Sequence, residues 1–504
     1  MPPISLFFAG TEVYLALSLQ TGIRSTVLLF CGCLLFHLAG TWQIPLLERA
    51  EPRYAEASRE MRERGDYIIP FFNNAYRFDK PPLAYWAQVA SYRIFGENDF
   101  AARFPSAIAA ALTSVLLLLW GKRCANTRGG WWAALIFALA LQVVIYAKAA
   151  IADMWLVFFI TAAHYAAYRL IEDSLGQKPL PDEKEARFFR GLFYLALVGG
   201  FLAKGPIGWT PLLTLGVIKF FSPRVPFAAR FKFAPGIFCV LLLVSGWVVP
   251  ALMRTHGDYV RVAIGQQIID RSVTPIKGQG AQSFVGYIAT LPFYFVTIFF
   301  SFFPWSIKFP SLTARLWRKR DPLEDFLLAG AAIFFLIFTF FKTKLPHYTM
   351  PALPLLSLLL ARQLEQSPNG TAFVRRSAVV VTVGYLIVAL VLPPFSKGLF
   401  PTVQLLEKVR DDLKPEMEFG AVDYVEPSLV WYFRRYIKGW MTKLDAENVV
   451  AFMAKPGARF VILPTPLARS AFAQTPNEWK KYSIETVYPV KGRSIALSLI
   501  LKPE

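Results

Sequence analysis

Residues 26–45, TVLLFCGCLLFHLAGTWQIP, run straight into residues 46–61, LLERAEPRYAEASREM. An apolar block gives way within a few positions to Glu48, Arg49, Glu51, Arg53, Glu56, Arg59 and Glu60. A helix needs about 20 apolar residues to cross a bilayer, and the first block has that length. The junction therefore marks where the chain leaves a membrane and at once presents carboxylates and guanidiniums together.

Outward from this junction the same alternation recurs. The 504-residue chain is 55% hydrophobic and only 17% charged, with a mean hydropathy of +0.41. A water-soluble chain would carry about 25% charge. Apolar segments of near-spanning length fall at about 24–44, 104–120, 131–148, 153–171, 190–204, 206–221, 234–252, 285–303, 326–341, 348–361 and 377–394. Helices satisfy every backbone group within lipid, so the predicted fold class is an all-α polytopic membrane protein. It has about 11–13 transmembrane helices, two of them hidden in the long first and fourth outer loops.

The net charge of +20 does not point to nucleic acid, because the basic residues cluster in short loops between spans. Lys122, Arg123, Arg128, Arg187, Arg190, Arg224, Arg230, Lys232, Lys308, Arg315, Arg318, Lys319, Arg320, Arg362, Arg375 and Arg376 form one alternate set. The positive-inside rule makes that set cytoplasmic. The long loop 45–103, the start of the span at Asp153, the turn at Lys204, the loop 253–284, the turn 341–348 and the tail then face outward. The four cysteines, Cys31, Cys33, Cys124 and Cys239, suggest no disulfide framework.

The reading divides the chain into a transmembrane unit, 1–394, and a small water-soluble α/β unit, 395–504. In the latter, EFGAVDYV (418–425), ARFVILPT (458–465) and SIALSLILK (494–502) read as strands. PSLVWYFRRY (427–436) and AENVVAFMAK (446–455) read as helices.

The unusual charged clusters all fall on the outer side. RAEPRYAEASREMRERGDY (49–67) predicts an amphipathic helix lying on the membrane surface. Glu56, Glu60 and Glu63 form its solvated face, and Glu51 and Arg53 are the functional candidates. In YRFDKPPLAYW (76–86), Asp79 and Lys80 precede two prolines that stiffen the backbone. A lysine fixed there suits a lipid phosphate. Asp153 opens a span, and an ionisable group at membrane depth is a functional candidate by default. Lys204 stands in a tight Gly-Pro hairpin, FLAKGPIG (201–208). Arg271, and less strongly Arg261, lie in GDYVRVAIGQQIIDRS (257–272), and Lys344, His347 and Tyr348 in KTKLPHYTMPALP (342–354). Cations at a bilayer surface bind a lipid-linked phosphate, and acids beside them hold a sugar or stabilise an oxocarbenium-like centre. No Gly-rich phosphate loop is present, so a nucleotide sugar is not indicated.

At EPRYAEASREMRERGDYIIP (51–70), FDKPPLAYW (78–86), IFGENDFAARFPSA (94–107), the acid of IADM (151–154), LAKGP (202–206) and TKLPHYTMPALP (343–354), the chain resembles a known family. It is similar to the bacterial lipid A aminoarabinose transferases and to their relatives, the protein O-mannosyltransferases, which share the GT-C fold. The resemblance implies a glycosyltransferase in a bacterial inner membrane with its site facing the periplasm. A polyprenyl-phosphate sugar would be the donor, and lipid A or another envelope glycan the acceptor. By resemblance Lys80 holds the carrier phosphate, Arg271 and Tyr348 assist, and Asp153 is a cavity acid. With Glu51 it makes the catalytic pair; Arg53, Asp79, Lys204, Lys344 and His347 complete the phosphate and substrate set.

Two departures stand out. The family reads Asp-Glu-x-Arg-Tyr after the first span, and here the leading acid is Ala50. No cofactor is required by the motifs. A divalent metal at Asp79 stays open, although GQQIIDRS (265–272) lacks the family histidine that would share it. The alternatives to an enzyme are a catalytically silent lipid-phosphate-binding protein and a transporter of lipid-linked sugars. A phosphate acceptor is already ionised at neutral pH and needs no base, so with one acid lost either the acceptor is such a phosphate or Glu51 and Asp153 cover the missing role.

Overall fold

The computed structural model describes residues 22–221, 225–262, 265, 283–488 and 492–504. Among the described residues, seven helical stretches are long and apolar enough to cross a membrane, and eight if the bent pair Thr127–Ala138 and Leu141–Ala147 is one span. Every predicted apolar segment lies mostly on helix, although 39–44 and 290–292 are turns. The difference from eleven has two sources: Ile23–Leu38 and Leu353–Gln366 are shorter than a span needs, and the predicted spans 190–204 and 206–221 fall in one continuous helical stretch, Glu183–Phe221.

The Glu183–Lys204 helix and the Thr210–Phe221 helix are joined by the 3-10 turn Gly205–Trp209. A Cβ on Gly208 would lie 2.2 Å from the carbonyl carbon of Gly200. Eight residues of straight helix would separate these positions by about 12 Å. The chain therefore doubles back here, and only glycines permit so close an approach. This reversal leaves Lys204 at one end of the bundle, level with the start of the Asp153–Ile171 helix.

At that same end sits the C-terminal unit. Its five-stranded sheet has the order β4-β3-β5-β7-β6, with β3 Glu418–Val422, β4 Met441–Leu444, β5 Arg459–Pro464, β6 Lys480–Tyr488 and β7 Arg493–Lys502. β3 runs parallel to β4 and β5, and β5–β7–β6 are antiparallel. β1 Phe71–Phe72 and β2 Ala75–Tyr76 form a small hairpin elsewhere.

The tail is not a detached unit. One apolar core contains Leu405, Phe419, Trp431 and Leu499 of the tail together with Leu46, Ala55, Tyr92, Ala101 and Ala150. The Ala50–Arg64 helix, expected on the membrane surface, is sandwiched instead. Most of its supposed solvated face is covered: Glu56 and Glu60 are fully buried, while Glu63 stays exposed. Glu56 meets Arg59 and the tail's Arg434, and Arg434 also pairs with Glu63 at 2.8 Å. Arg59 donates to the backbone carbonyls of Val430 at 3.3 Å and Trp431 at 3.1 Å. Asp99 receives Trp431 Nε1 and Tyr432 OH, each at 2.8 Å.

Candidate active site

Two of the predicted residues meet directly. The Lys204 ammonium donates to Asp153 Oδ1 at 2.5 Å. The hairpin just described brings the end of one helix to the beginning of another. His347 Nε2 lies 3.9 Å from the same oxygen, an ion pair when the ring is protonated. Among the described residues Asp153 Oδ2 makes no hydrogen bond. Lys80 is near enough for its charge to act on Asp153. The Lys204 ammonium stands 5.8 Å from the centre of the Tyr348 ring, within cation–π reach. The His347 ring touches both Tyr348 and Tyr146, with centroids 5.1 Å apart in each pair. So Lys80, Asp153, Lys204, His347 and Tyr348 gather at one end of the bundle.

Asp79 and Arg53 form the adjoining wall. Asp79 Oδ2 is 3.1 Å from Arg77 Nη2. Arg53 is half-buried. Burial and then the charge of Arg77 hold its guanidinium below the ordinary arginine value, against the pull of Asp79 and Glu426. An anion arriving between these cations relieves that repulsion. The chamber thus gathers four cationic side chains, Arg53, Arg77, Lys80 and Lys204, with the carboxylates Asp79 and Asp153, while Glu426 and Glu48 act on Arg53 from its edge; cations so grouped suit a phosphate.

Two expected members lie elsewhere. Glu51, 3% exposed, is held by Arg103 through two bonds of 2.9 and 2.7 Å. It also accepts the backbone N–H groups of Leu47 at 2.7 Å and Ala150 at 2.6 Å. Four donors saturate this carboxylate, so the geometry makes it a latch between segments rather than a group facing substrate. Lys344 is buried and donates to the carbonyls of Phe338 and Thr339. It caps the end of the Pro322–Phe340 helix, and burial lowers its pKa. Arg271 lies outside the described residues.

Sequence reasoning missed Arg77, Tyr54 and Tyr85. Arg77 and Asp79 are two positions apart, and in extended chain such residues share a side. That spacing was the available signal. For a metal, the donors do not fit: among the described residues no group of three or more His, Cys, Asp or Glu side chains is placed to hold one. Asp79 is already paired with an arginine.

This is the fold of the GT-C glycosyltransferases. It matches ArnT from Cupriavidus metallidurans bound to undecaprenyl phosphate with a TM-score of 0.77 at 18% identity, covering 95% of this chain and 98% of that one. It also matches the archaeal oligosaccharyltransferase AglB from Archaeoglobus fulgidus, with a TM-score of 0.51 at 14% identity, over 93% of this chain and 74% of that one. Residues 79–249 match the dolichyl-phosphate-mannose-protein mannosyltransferase family. The chain is 29% identical to the undecaprenyl phosphate-alpha-4-amino-4-deoxy-L-arabinose arabinosyl transferase of Yersinia pestis over 329 residues, 64% of this chain and 55% of that protein. An uncharacterized protein of Aquifex aeolicus is 28% identical over 371 residues, 71% of this chain and 67% of that protein. The chain thus matches little more than half the length of the arabinosyl transferase.

Proposed function

We propose that this chain moves a sugar from a polyprenyl-phosphate carrier to lipid A or another cell-envelope acceptor at the periplasmic face of a bacterial inner membrane. The observation that carries the reading is the direct contact of Lys204 with Asp153, with His347 and Tyr348 beside them. The printed names of the relatives support the carrier: one transfers an undecaprenyl-phosphate-linked aminoarabinose, and another was solved with undecaprenyl phosphate bound.

In this reading Lys80, Lys204 and Arg53 hold the carrier phosphate. The bond between the sugar's anomeric carbon and the carrier oxygen breaks, and its electron pair stays on that oxygen. The phosphate gains negative charge as it leaves, so fixed cations stabilise the transition state more than the ground state. The anomeric carbon becomes oxocarbenium-like, and Asp153 Oδ2 faces that positive charge. An acceptor oxygen forms the new bond to the anomeric carbon. If that oxygen belongs to a phosphate there is no proton to remove, which suits a site with Ala50 in place of an acid.

The test is transfer from a polyprenyl-phosphate sugar by purified protein, with phosphate and hydroxyl acceptors compared. Efficient wild-type transfer to serine or threonine hydroxyls with none to phosphate would refute the acceptor assignment. Ala50 also favours a second reading, a silent lipid-phosphate-binding protein. It predicts carrier binding without sugar release.

A further inference from the structure

Arg77 is the one charged side chain of the chamber wall that the sequence did not single out, and its setting is built in unusual detail. Its backbone N–H is anchored on the Pro70 carbonyl at 2.8 Å. Its side chain is 9% exposed. Nε donates to the Tyr85 hydroxyl at 3.0 Å, Nη2 meets Asp79 at 3.1 Å, and the guanidinium lies 5.2 Å from the centre of the Tyr54 ring. Tyr54 stacks on Tyr85 at 5.2 Å and 20°, and Tyr85 is fully buried. The guanidinium is thus fixed on three sides before any ligand arrives. Nη1 makes no hydrogen bond among the described residues and is not among the sealed polar atoms.

A divalent metal beside Asp79 would bring positive charge to this wall, but the donor set to hold one is absent among the described residues. We propose that Arg77 is the resident cation of the site: it neutralises Asp79 as a metal would and presents Nη1 to the phosphate of the lipid-linked donor, a second anchor beside Lys80. This rests on the function proposed above. A guanidinium suits the task because it cannot lose its proton at physiological pH and offers several donors in one plane.

The test uses full-length protein in detergent micelles and undecaprenyl phosphate as the probe. Wild-type binding should be unchanged by EDTA and by added Mn2+ or Zn2+. Arg77→Ala should weaken binding at least about tenfold, and Arg77→Lys should recover part of it. Tyr85→Phe, which frees Nε but keeps the ring, should cost about threefold, a fraction of one hydrogen bond. Melting temperature and size-exclusion profile report folding; if Arg77→Ala fails to fold, Arg77→Lys and Tyr85→Phe carry the comparison. Loss of wild-type binding on chelation overturns the inference. So does wild-type affinity in Arg77→Ala or, where that variant does not fold, in both of the others. Lys80→Ala separates the two readings. Loss in Lys80→Ala with none on altering Arg77 defeats the inference alone, whereas no binding by the wild type defeats the proposed function.

Discussion

The Lys204 ammonium and the Asp153 carboxylate, 51 residues apart, meet at 2.5 Å. Both are mostly buried, at 15% and 9% side-chain exposure. The contact exists because the chain reverses at Gly205–Trp209, and it places a fixed ion pair where the helices end.

Asp153→Asn keeps the shape of this pair and removes its negative charge. Turnover should fall by about 10²–10³-fold, the usual loss for one preorganised electrostatic group, while donor KM stays within a few-fold. Steady-state kinetics on a polyprenyl-phosphate sugar give both numbers. A rise in KM at unchanged kcat would place Asp153 in binding rather than chemistry.

Glu51 is predicted to be structural. Glu51→Ala strands the buried Arg103 guanidinium and the N–H groups of Leu47 and Ala150. Removing one partner of a buried pair costs about 3–5 kcal/mol. Thermal unfolding in detergent should show a lowered Tm for both Glu51→Ala and Glu51→Gln. A Glu51→Gln variant with unchanged Tm and abolished turnover would return this residue to the chemistry.

The docked tail should respond to pH. Burial, followed by the charge of Glu56, pushes the Glu60 carboxyl up from 4.5 to about 7, and burial does the same for Glu48, against the Ser428 hydroxyl and backbone N–H that pull it down. The folded protein therefore holds more protons than the unfolded chain between pH 4.5 and about 7. Stability is greatest at the acid end of that window and falls as pH rises through it, by on the order of 1–3 kcal/mol for a buried group such as Glu60. Melting curves from pH 5 to 8 should show the fall. Glu60→Gln and Glu48→Gln should each flatten it, and an unaltered slope in both would contradict the assignment.

Asp99 holds the tail through Trp431, Tyr432 and Arg435. Asp99→Ala should make the tail more open to proteolysis near residues 395–405 while undecaprenyl phosphate binding persists. Loss of binding in a folded Asp99→Ala protein would show that the tail shapes the chamber directly.

Much of this was legible in the sequence, for identifiable reasons. The helices announce themselves by apolar length, and the strands Glu418–Val422, Arg459–Pro464 and Arg493–Lys502 lie on the apolar runs that predicted them. Lys204 was readable because Gly-Pro follows it. The Ala50–Arg64 helix was misplaced because its charges look solvated in isolation, and the residues that cover them come from some 370 positions later. Lys344 was misplaced because a lysine in a turn gives no local sign of whether it faces a ligand or the carbonyls of the helix before it. Glu51 was misassigned for a similar reason: Arg103 saturates it from 52 positions away.

The central claim is that Lys80, Lys204 and Asp153 form one chamber for a lipid-linked sugar. Its most direct measurement is release of undecaprenyl phosphate from an undecaprenyl-phosphate aminosugar by purified full-length protein, with Lys80→Ala and Asp153→Asn run in parallel. The account predicts release by the wild type, weakened donor binding in Lys80→Ala and slowed turnover in Asp153→Asn. Wild-type protein that neither binds nor consumes the donor, or variants that match it in both respects, would contradict the account.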